Sequence, residues 1–403
     1  VKKIIPATIA LFIALAILGI WFFPSISGSQ DIGVYRGIGA MAAKHNAGEQ
    51  ILLRSEYPPL MSVIFFGLFT NPFHGSFAVV WLIFLLVCLG GAGAYLWKIS
   101  REEAARFFLA TLLSIFLLGQ TVFFARNDIL VMIPLYLSWR AHRHNRPASG
   151  SFFLIIAGAL KLIPFFLLPL SFLSVARRER KQWVIGALFA AILCTFLPLA
   201  VLGVQGTIEN LHHMFTYHGG RTFQAESVWS GADMLFRRVF MGQKARIEID
   251  HMAYHNHDFG VPVAHIANLI MTVGIVLLTV RSWLQSQNKK KNKSENYLLL
   301  LLWILLTSSI LSPQYFVWFL PLIAAWSVDV SLQKILHVRH GLIMLSAAII
   351  GLSTQLIMKE AMAKQSLYLI LLLNMRTAVM IGLFLLLYFE TRGSVLRKRK
   401  TCR

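Results

Sequence analysis

Residues 76–97 read SFAVVWLIFLLVCLGGAGAYLW, 22 positions without one charged side chain. A helix rises about 1.5 Å per residue, so about 20 apolar residues cross the roughly 30 Å hydrocarbon core of a bilayer. This stretch is therefore expected to form a membrane-spanning helix. Its Gly90-Gly91-Ala92-Gly93 is no phosphate loop, because it lies inside the apolar run, where small residues let helices approach closely. Further apolar runs lie at 4–23, 107–118, 127–139, 151–174, 183–203, 261–280, 297–311, 316–328, 341–357 and 366–390. Several are shorter than a full crossing, which implies tilted or broken helices shielded inside a bundle.

The whole composition agrees. Of 403 residues, 57% are hydrophobic and 14% charged, against about 25% charged in an ordinary soluble domain. A water-soluble globule and a disordered chain are both excluded. Alternating ten-residue strand patterns are absent, so helices are expected rather than an outer-membrane barrel. Cys88, Cys194 and Cys402 suggest neither a disulfide framework nor a zinc site.

The net charge of +21 is read as a topology signal, not as a nucleic-acid surface. Basic clusters at Arg140–Arg146, Arg177–Lys181, Lys289–Lys293 and Arg397–Arg403 adjoin apolar runs, and the positive-inside rule places them in the cytoplasm, facing anionic lipid headgroups. Both termini then lie inside, with 391–403 a basic cytoplasmic tail on a single integral membrane domain spanning 1–403. The run 151–174, bracketed by basic clusters and broken by Lys161 and Pro164, reads as two short helices meeting near the outer face. Residues 57–70 are too short and proline-interrupted to cross, and are expected as a re-entrant or interfacial element. About twelve crossings result. Lys2-Lys3 with the apolar run after it could also be a signal peptide cleaved near Ser25 to Ser29, although the run serves equally as a retained anchor. Two long outer segments remain, 24–56 and 204–259, rich in Trp, Tyr, His, Gly and acids.

Asp31 opens a helix whose apolar face would be Ile32, Tyr35, Ile38, Gly39 and Ala42. An acid there can cap the helix or act as a general base on a substrate delivered along the membrane surface. The block Asp31-Ile32-Gly33-Val34-Tyr35, followed after a helix ending at Gly48 by Glu56-Tyr57-Pro58-Pro59-Leu60, resembles the opening of glycosyltransferase family 87. That family comprises polytopic, polyprenyl-phosphate-sugar-dependent enzymes of the GT-C superfamily. Gly119-Gln120 before Arg126-Asn127-Asp128, Lys161-Leu162-Ile163-Pro164, Tyr217-His218-Gly219-Gly220-Arg221 with Gln224-Ala225-Glu226-Ser227, and Ser312-Pro313-Gln314-Tyr315 are similar to its later blocks, in order. All fall at predicted outer ends of spans, as one membrane-surface site would require.

The resemblance implies an all-α, GT-C-like bundle with short extracytoplasmic helices in the plasma membrane. It implies inverting transfer of a sugar, mannose by analogy, from a polyprenyl phosphate to a lipid-linked or membrane-proximal acceptor on the outer face. Such chemistry needs a base for the acceptor hydroxyl, and Asp31 matches the family's catalytic acid. It needs donors or cations at the leaving phosphate, for which Arg126, Lys161, His218 and Arg221 are the candidates. Tyr35, Glu56, Tyr57, Gln224, Glu226, Gln314 and Tyr315 are expected around the substrate. No cofactor, metal or nucleic-acid partner is expected; the partners are lipids, donor and acceptor.

Blander readings stand beside these. Arg126 could pair with Asp128 or snorkel, Lys161 could sit in a structural ion pair, and Asp128 could cap helix 129–139. Tyr57 to Pro59 and Ser312-Pro313 could simply shape the chain. Arg376, an intramembrane cation, fits an interhelical pair as well as donor binding. His251, His255, His257 and Asp258 would have metal-ligand spacing if 251–255 were helical. A transporter or flippase of a polyprenyl-linked glycan is the rival function, although transporters usually show repeats and midplane charges.

Overall fold

The structure is a computed structural model that describes residues 4–49, 51–71, 76–219, 221–250, 253–258, 261–286, 293–331, 338–359 and 364–400. The chain forms two compact units, 1–220 and 221–403.

In the first unit the helices are α1 (Ile4–Trp21), α2 (Phe23–Ser27), α3 (Gln30–Asn46), α4 (Pro59–Phe69), α5 (Phe77–Ile99), α6 (Arg101–Leu118), α7 (Gln120–Ala125), α8 (Asp128–Arg143), α9 (Pro147–Leu160), α10 (Leu168–Ser174) and α11 (Arg180–Gly219). Helix α8 is the core of this unit: every residue from Asp128 to His142 is buried, and α5, α7 and α9 pack around it. The expected small-residue packing is present on α5, where a side chain at Gly93 would run into the Phe108 ring of α6.

The run 151–174 breaks as expected. Helix α9 ends at Leu160, Lys161 is extended with φ −160°, and a 3-10 turn from Ile163 to Leu167 leads into α10. Pro58 and Pro59 confine α4 to 11 residues. The expected apolar face of α3 is the one buried, Ile32, Tyr35, Ile38, Gly39 and Ala42. Gly39 permits its contact with α4, since a Cβ there would stand 2.7 Å from the Phe69 Cβ.

One boundary differs from the sequence reading. Residues 204–219, expected to begin a long outer loop, continue α11 beyond a kink at Gly203, whose φ of +68° only glycine adopts readily. The kink turns a polar helix face, which carries Glu209, Asn210 and His213, toward the extended segment 51–58.

The second unit holds α12 (Val228–Phe236), α13 (Val261–Ser286), α14 (Lys293–Thr307), α15 (Phe316–Ser331), α16 (Val338–Lys359) and α17 (Leu367–Lys400). As the proline at 313 implied, α14 and α15 are separated by a non-helical stretch and a 3-10 turn, Pro313–Tyr315. The fold is not purely helical: β1 (Phe223–Gln224), β2 (Ile247–Asp250) and β3 (Ala253–Asn256) form a small antiparallel sheet in the order β1-β3-β2.

Among the described residues, four helices are long and apolar enough to cross a membrane, at Phe77–Ile99, Arg177–Gly219, Pro262–Gln285 and Leu367–Phe389. Shorter apolar helices of 10–17 residues accompany them, at Ile5–Trp21, Pro147–Leu160, Glu295–Thr307, Phe316–Trp326 and Gly341–Ile357 among others.

Candidate active site

Three consecutive residues of the first unit organise the site. Arg126 Nη1 donates to Asp31 Oδ1 at 2.5 Å. The Asn127 backbone N–H donates to the Tyr35 phenolic oxygen at 2.9 Å. Lys161 Nζ donates to Asp128 Oδ1 at 2.8 Å. The turn 126–128 thus clasps α3 at Asp31 and Tyr35, which lie one helical turn apart, and the broken end of α9 on its other side.

Local structure explains why these groups meet. Gly119, with φ +85°, ends α6, and α7 lasts six residues before Arg126 turns extended. Trp81 of α5 donates its indole N–H to the Phe124 carbonyl at 2.8 Å, fixing the chain just ahead of Arg126. Tyr35 stacks on Phe65 with ring centres 4.6 Å apart and packs against Trp81 and Tyr57. Ser29 precedes α3 and its hydroxyl donates to Asp31 Oδ2 at 3.3 Å.

The Glu56-Tyr57 block reaches the same place through α11. Asn210 Nδ2 donates to the Tyr57 carbonyl at 2.8 Å, His213 Nδ1 lies 3.2 Å from the Ser55 carbonyl and His218 Nε2 lies 3.1 Å from the Glu56 carbonyl. The Leu53 N–H donates to Glu209 at 3.3 Å. His218, read from sequence as a phosphate ligand, therefore holds main chain in this geometry. Glu56 hydrogen-bonds the Tyr57 phenol and stands within electrostatic reach of Asp31.

Two sequence readings of the turn are corrected. Arg126 pairs with Asp31, not Asp128, because its backbone leaves α7 extended while Asp128 is already within α8. Asp128 does not cap α8 through its side chain: Asn127 occupies the cap position, and the Asp128 carboxylate is engaged by Lys161. Lys161 thus sits in an ion pair, one of the two readings its sequence position allowed.

Burial then separates the two cations. The side chains of Arg126 and Asp31 are 31% and 19% exposed, those of Lys161 and Asp128 13% and 0%. The first pair is partly open to solvent, whereas parting the second would strand a buried charge at a cost of about 3–5 kcal/mol. Burial lifts the Asp31 carboxyl above its usual range, and the Arg126 charge offsets this only in part, while Asp128 and Glu56 add to the rise. Burial likewise holds the Tyr35 and Tyr57 phenols well above 10, so both stay neutral hydrogen-bonding groups. The arrangement presents a carboxylate of raised proton affinity, an accessible guanidinium bound to it, and further acids behind.

The second unit carries the remaining sequence candidates, and with them Arg376, which is 1% exposed. Its Nη2 donates to the Glu226 carbonyl at 2.6 Å and its Nη1 lies 3.4 Å from the Thr354 hydroxyl, with the guanidinium over the Phe316 ring. Arg376 thereby fastens the turn after β1 to α15 and α16. Gln224 is held by its backbone N–H to the Ser309 carbonyl at 3.0 Å, and its buried side-chain oxygen has no partner. Gln314 likewise has a buried, unpartnered amide oxygen, and Tyr315 stacks on Trp318 at 4.8 Å. Arg221 is half-buried at the start of this unit.

The metal reading loses its premise. Residues 253–256 are a strand paired with 247–250, not a helix, and the Asp258 carboxylate accepts from the Arg246 N–H at 2.7 Å and lies 3.3 Å from Arg237. His251 lies outside the described residues. Among the described residues no group of three or more His, Cys, Asp or Glu could hold a metal ion. What sequence reasoning missed was pairing: nothing in the spacing of 31, 126, 128 and 161 says which acid meets which base.

The family model of glycosyltransferase family 87 matches residues 56–313. That span contains Glu56, Tyr57, Arg126, Lys161, His218, Arg221, Gln224 and Glu226, and leaves Asp31, Tyr35, Gln314 and Tyr315 outside. The curated proteins contain no match. The matched residues cover well over half of a chain rich in apolar helices, and the protein therefore belongs to glycosyltransferase family 87 and is a membrane glycosyltransferase.

Proposed function

We propose that the protein transfers a sugar, mannose in the first instance, from a polyprenyl-phosphate donor to a lipid-linked or membrane-proximal acceptor, with inversion at the anomeric carbon. The observation that carries this reading is the accessible Asp31–Arg126 pair, which brings a base and a phosphate-binding cation together in a family of glycosyltransferases. Asp31 takes the acceptor hydroxyl proton as that oxygen attacks the anomeric carbon through an oxocarbenium-like transition state. Arg126 meets the charge developing on the leaving phosphate. The burial of Lys161 against Asp128 favours Arg126 as the primary phosphate contact; Lys161 contributes its field from behind. In this reading the cationic side chains serve in place of a metal, and no cofactor takes part.

We further propose about twelve crossings of the plasma membrane, the shorter apolar helices pairing or tilting to complete them, with both termini cytoplasmic and the site outside. The experiment is to incubate the purified full chain with a panel of radiolabelled polyprenyl-phosphate sugars, the corresponding nucleotide sugars and lipid acceptors. Transfer from one member, lost in Asp31→Asn, supports the reading; transfer only from nucleotide sugars would overturn it. For topology, a single cysteine at Gly39 should label from outside intact cells and one at Ser149 should not; labelling at Ser149 would invert the assignment.

A further inference from the structure

Contact with each other holds Asp31 and Arg126 back in the proposed reaction. A carboxylate beside an arginine N–H at 2.5 Å is a weaker base than the same group without it. A guanidinium committed to that carboxylate is equally restrained from following a phosphate. The geometry also contains the resolution. Among the described residues the Asp31 contact is the one hydrogen bond Arg126 makes, although a guanidinium has five N–H donors in a planar fork. The contact engages Nη1 alone, whereas a phosphate can take two parallel N–H bonds and is the better-matched partner. Of the two ion pairs on the 126–128 turn, this is the one more open to solvent.

We propose that Arg126 is an exchangeable partner: it holds Asp31 between turnovers and passes to the phosphate of the arriving donor, so that the base is released only once the sugar to be transferred is in place. This deepens the proposed function and rests on its polyprenyl-phosphate donor. Asp31 stays in position without Arg126 because Ser29 also bonds it, and the Tyr35–Asn127 contact keeps α3 against the turn. The groups that then face Asp31 are the Glu56 and Asp128 carboxylates and the neutral phenols of Tyr35 and Tyr57, so release strengthens it as a base. In the step itself the acceptor oxygen bonds to the anomeric carbon as the bond from that carbon to the phosphate oxygen breaks. The electron pair stays on the phosphate, against Arg126, the acceptor proton passes to Asp31, and Asp31 later yields it to water.

The test reads the Asp31 carboxyl directly. Infrared difference spectra of the purified full chain follow the protonated carboxyl stretch, assigned by its loss in Asp31→Asn, as pH is varied with and without a polyprenyl phosphate; binding of that lipid is measured separately. In the wild type the titration midpoint should rise by about one unit or more when the lipid binds, since an opposite charge is taken from beside the group. In Arg126→Gln the midpoint should already be high and move by less than half as much; Arg126→Met, which also removes the charge, serves if the Gln variant does not fold. A lipid that binds without moving the wild-type midpoint, or moves it equally in wild type and Arg126→Gln, overturns the exchange and leaves the donor assignment standing. A lipid that does not bind overturns the donor assignment and the exchange together.

Discussion

Tyr35→Phe isolates the contact that aligns the site. The phenolic oxygen accepts the Asn127 backbone N–H at 2.9 Å, and both residues are buried, at 0% and 1% exposure. Phenylalanine keeps the ring, so stacking on Phe65 and packing against Trp81 persist and no large cavity forms. What is lost is one acceptor for a buried donor, a penalty of about 1–3 kcal/mol. For a unit of this size that corresponds to roughly 2–4 °C in apparent Tm per kcal/mol. The more informative consequence is catalytic. Asn127 lies between Arg126 and Asp128, so a shift of this turn moves the guanidinium relative to Asp31, and a displacement near 1 Å can cost about 10² in rate. The assay pairs thermal unfolding of the solubilised chain with single-turnover transfer. Lower Tm together with a lower transfer rate is expected. A Tm loss with full transfer would show that the clasp stabilises the fold without aligning the chemistry, and no change in either would refute the reasoning altogether.

Asp31→Asn keeps the size of the side chain and one of its two acceptor oxygens but loses proton affinity, so turnover should fall by about 10² or more with donor binding nearly intact; Glu56→Gln should retain substantial activity, and the reverse pattern would move the base to Glu56. Because burial raises the Asp31 carboxyl and the base acts ionised, transfer should be full above that raised value and decline as pH falls through it. An acid limb of kcat within the ordinary carboxylate range would contradict this. Glu103, 3% exposed, holds buried Arg140 together with Arg106 and His144; Glu103→Gln should destabilise the first unit by about 3–5 kcal/mol, read as loss of folded protein on heating, and an unchanged melting profile would mean that this cluster contributes nothing.

Glu103 also shows how charge reading and structure can part. The cluster 140–146 reads as a headgroup-facing patch, yet Arg140 is 0% exposed and bound to Glu103. A one-dimensional charge count has no means of seeing that Arg140 faces the interior while Arg146 of the same cluster stays exposed.

The membrane class, the positions of helices such as α5 and α13, the break at Lys161, the buried face of α3 and the family are properties of the sequence alone. Each depends on composition, local periodicity or local backbone chemistry: 22 uncharged residues commit to a spanning helix whatever surrounds them, and Ile32, Tyr35, Ile38, Gly39 and Ala42 share one face because a helix repeats every 3.6 residues. The tertiary structure decided the partnerships. Asp31 meets Arg126, Tyr35 meets Asn127 and Asp128 meets Lys161 across separations of 95, 92 and 33 residues. Which acid pairs with which base depends on how α3, α8 and α9 pack. That packing is set by apolar burial over whole helices, to which the charged side chains then accommodate, so no local pattern in the chain encodes it.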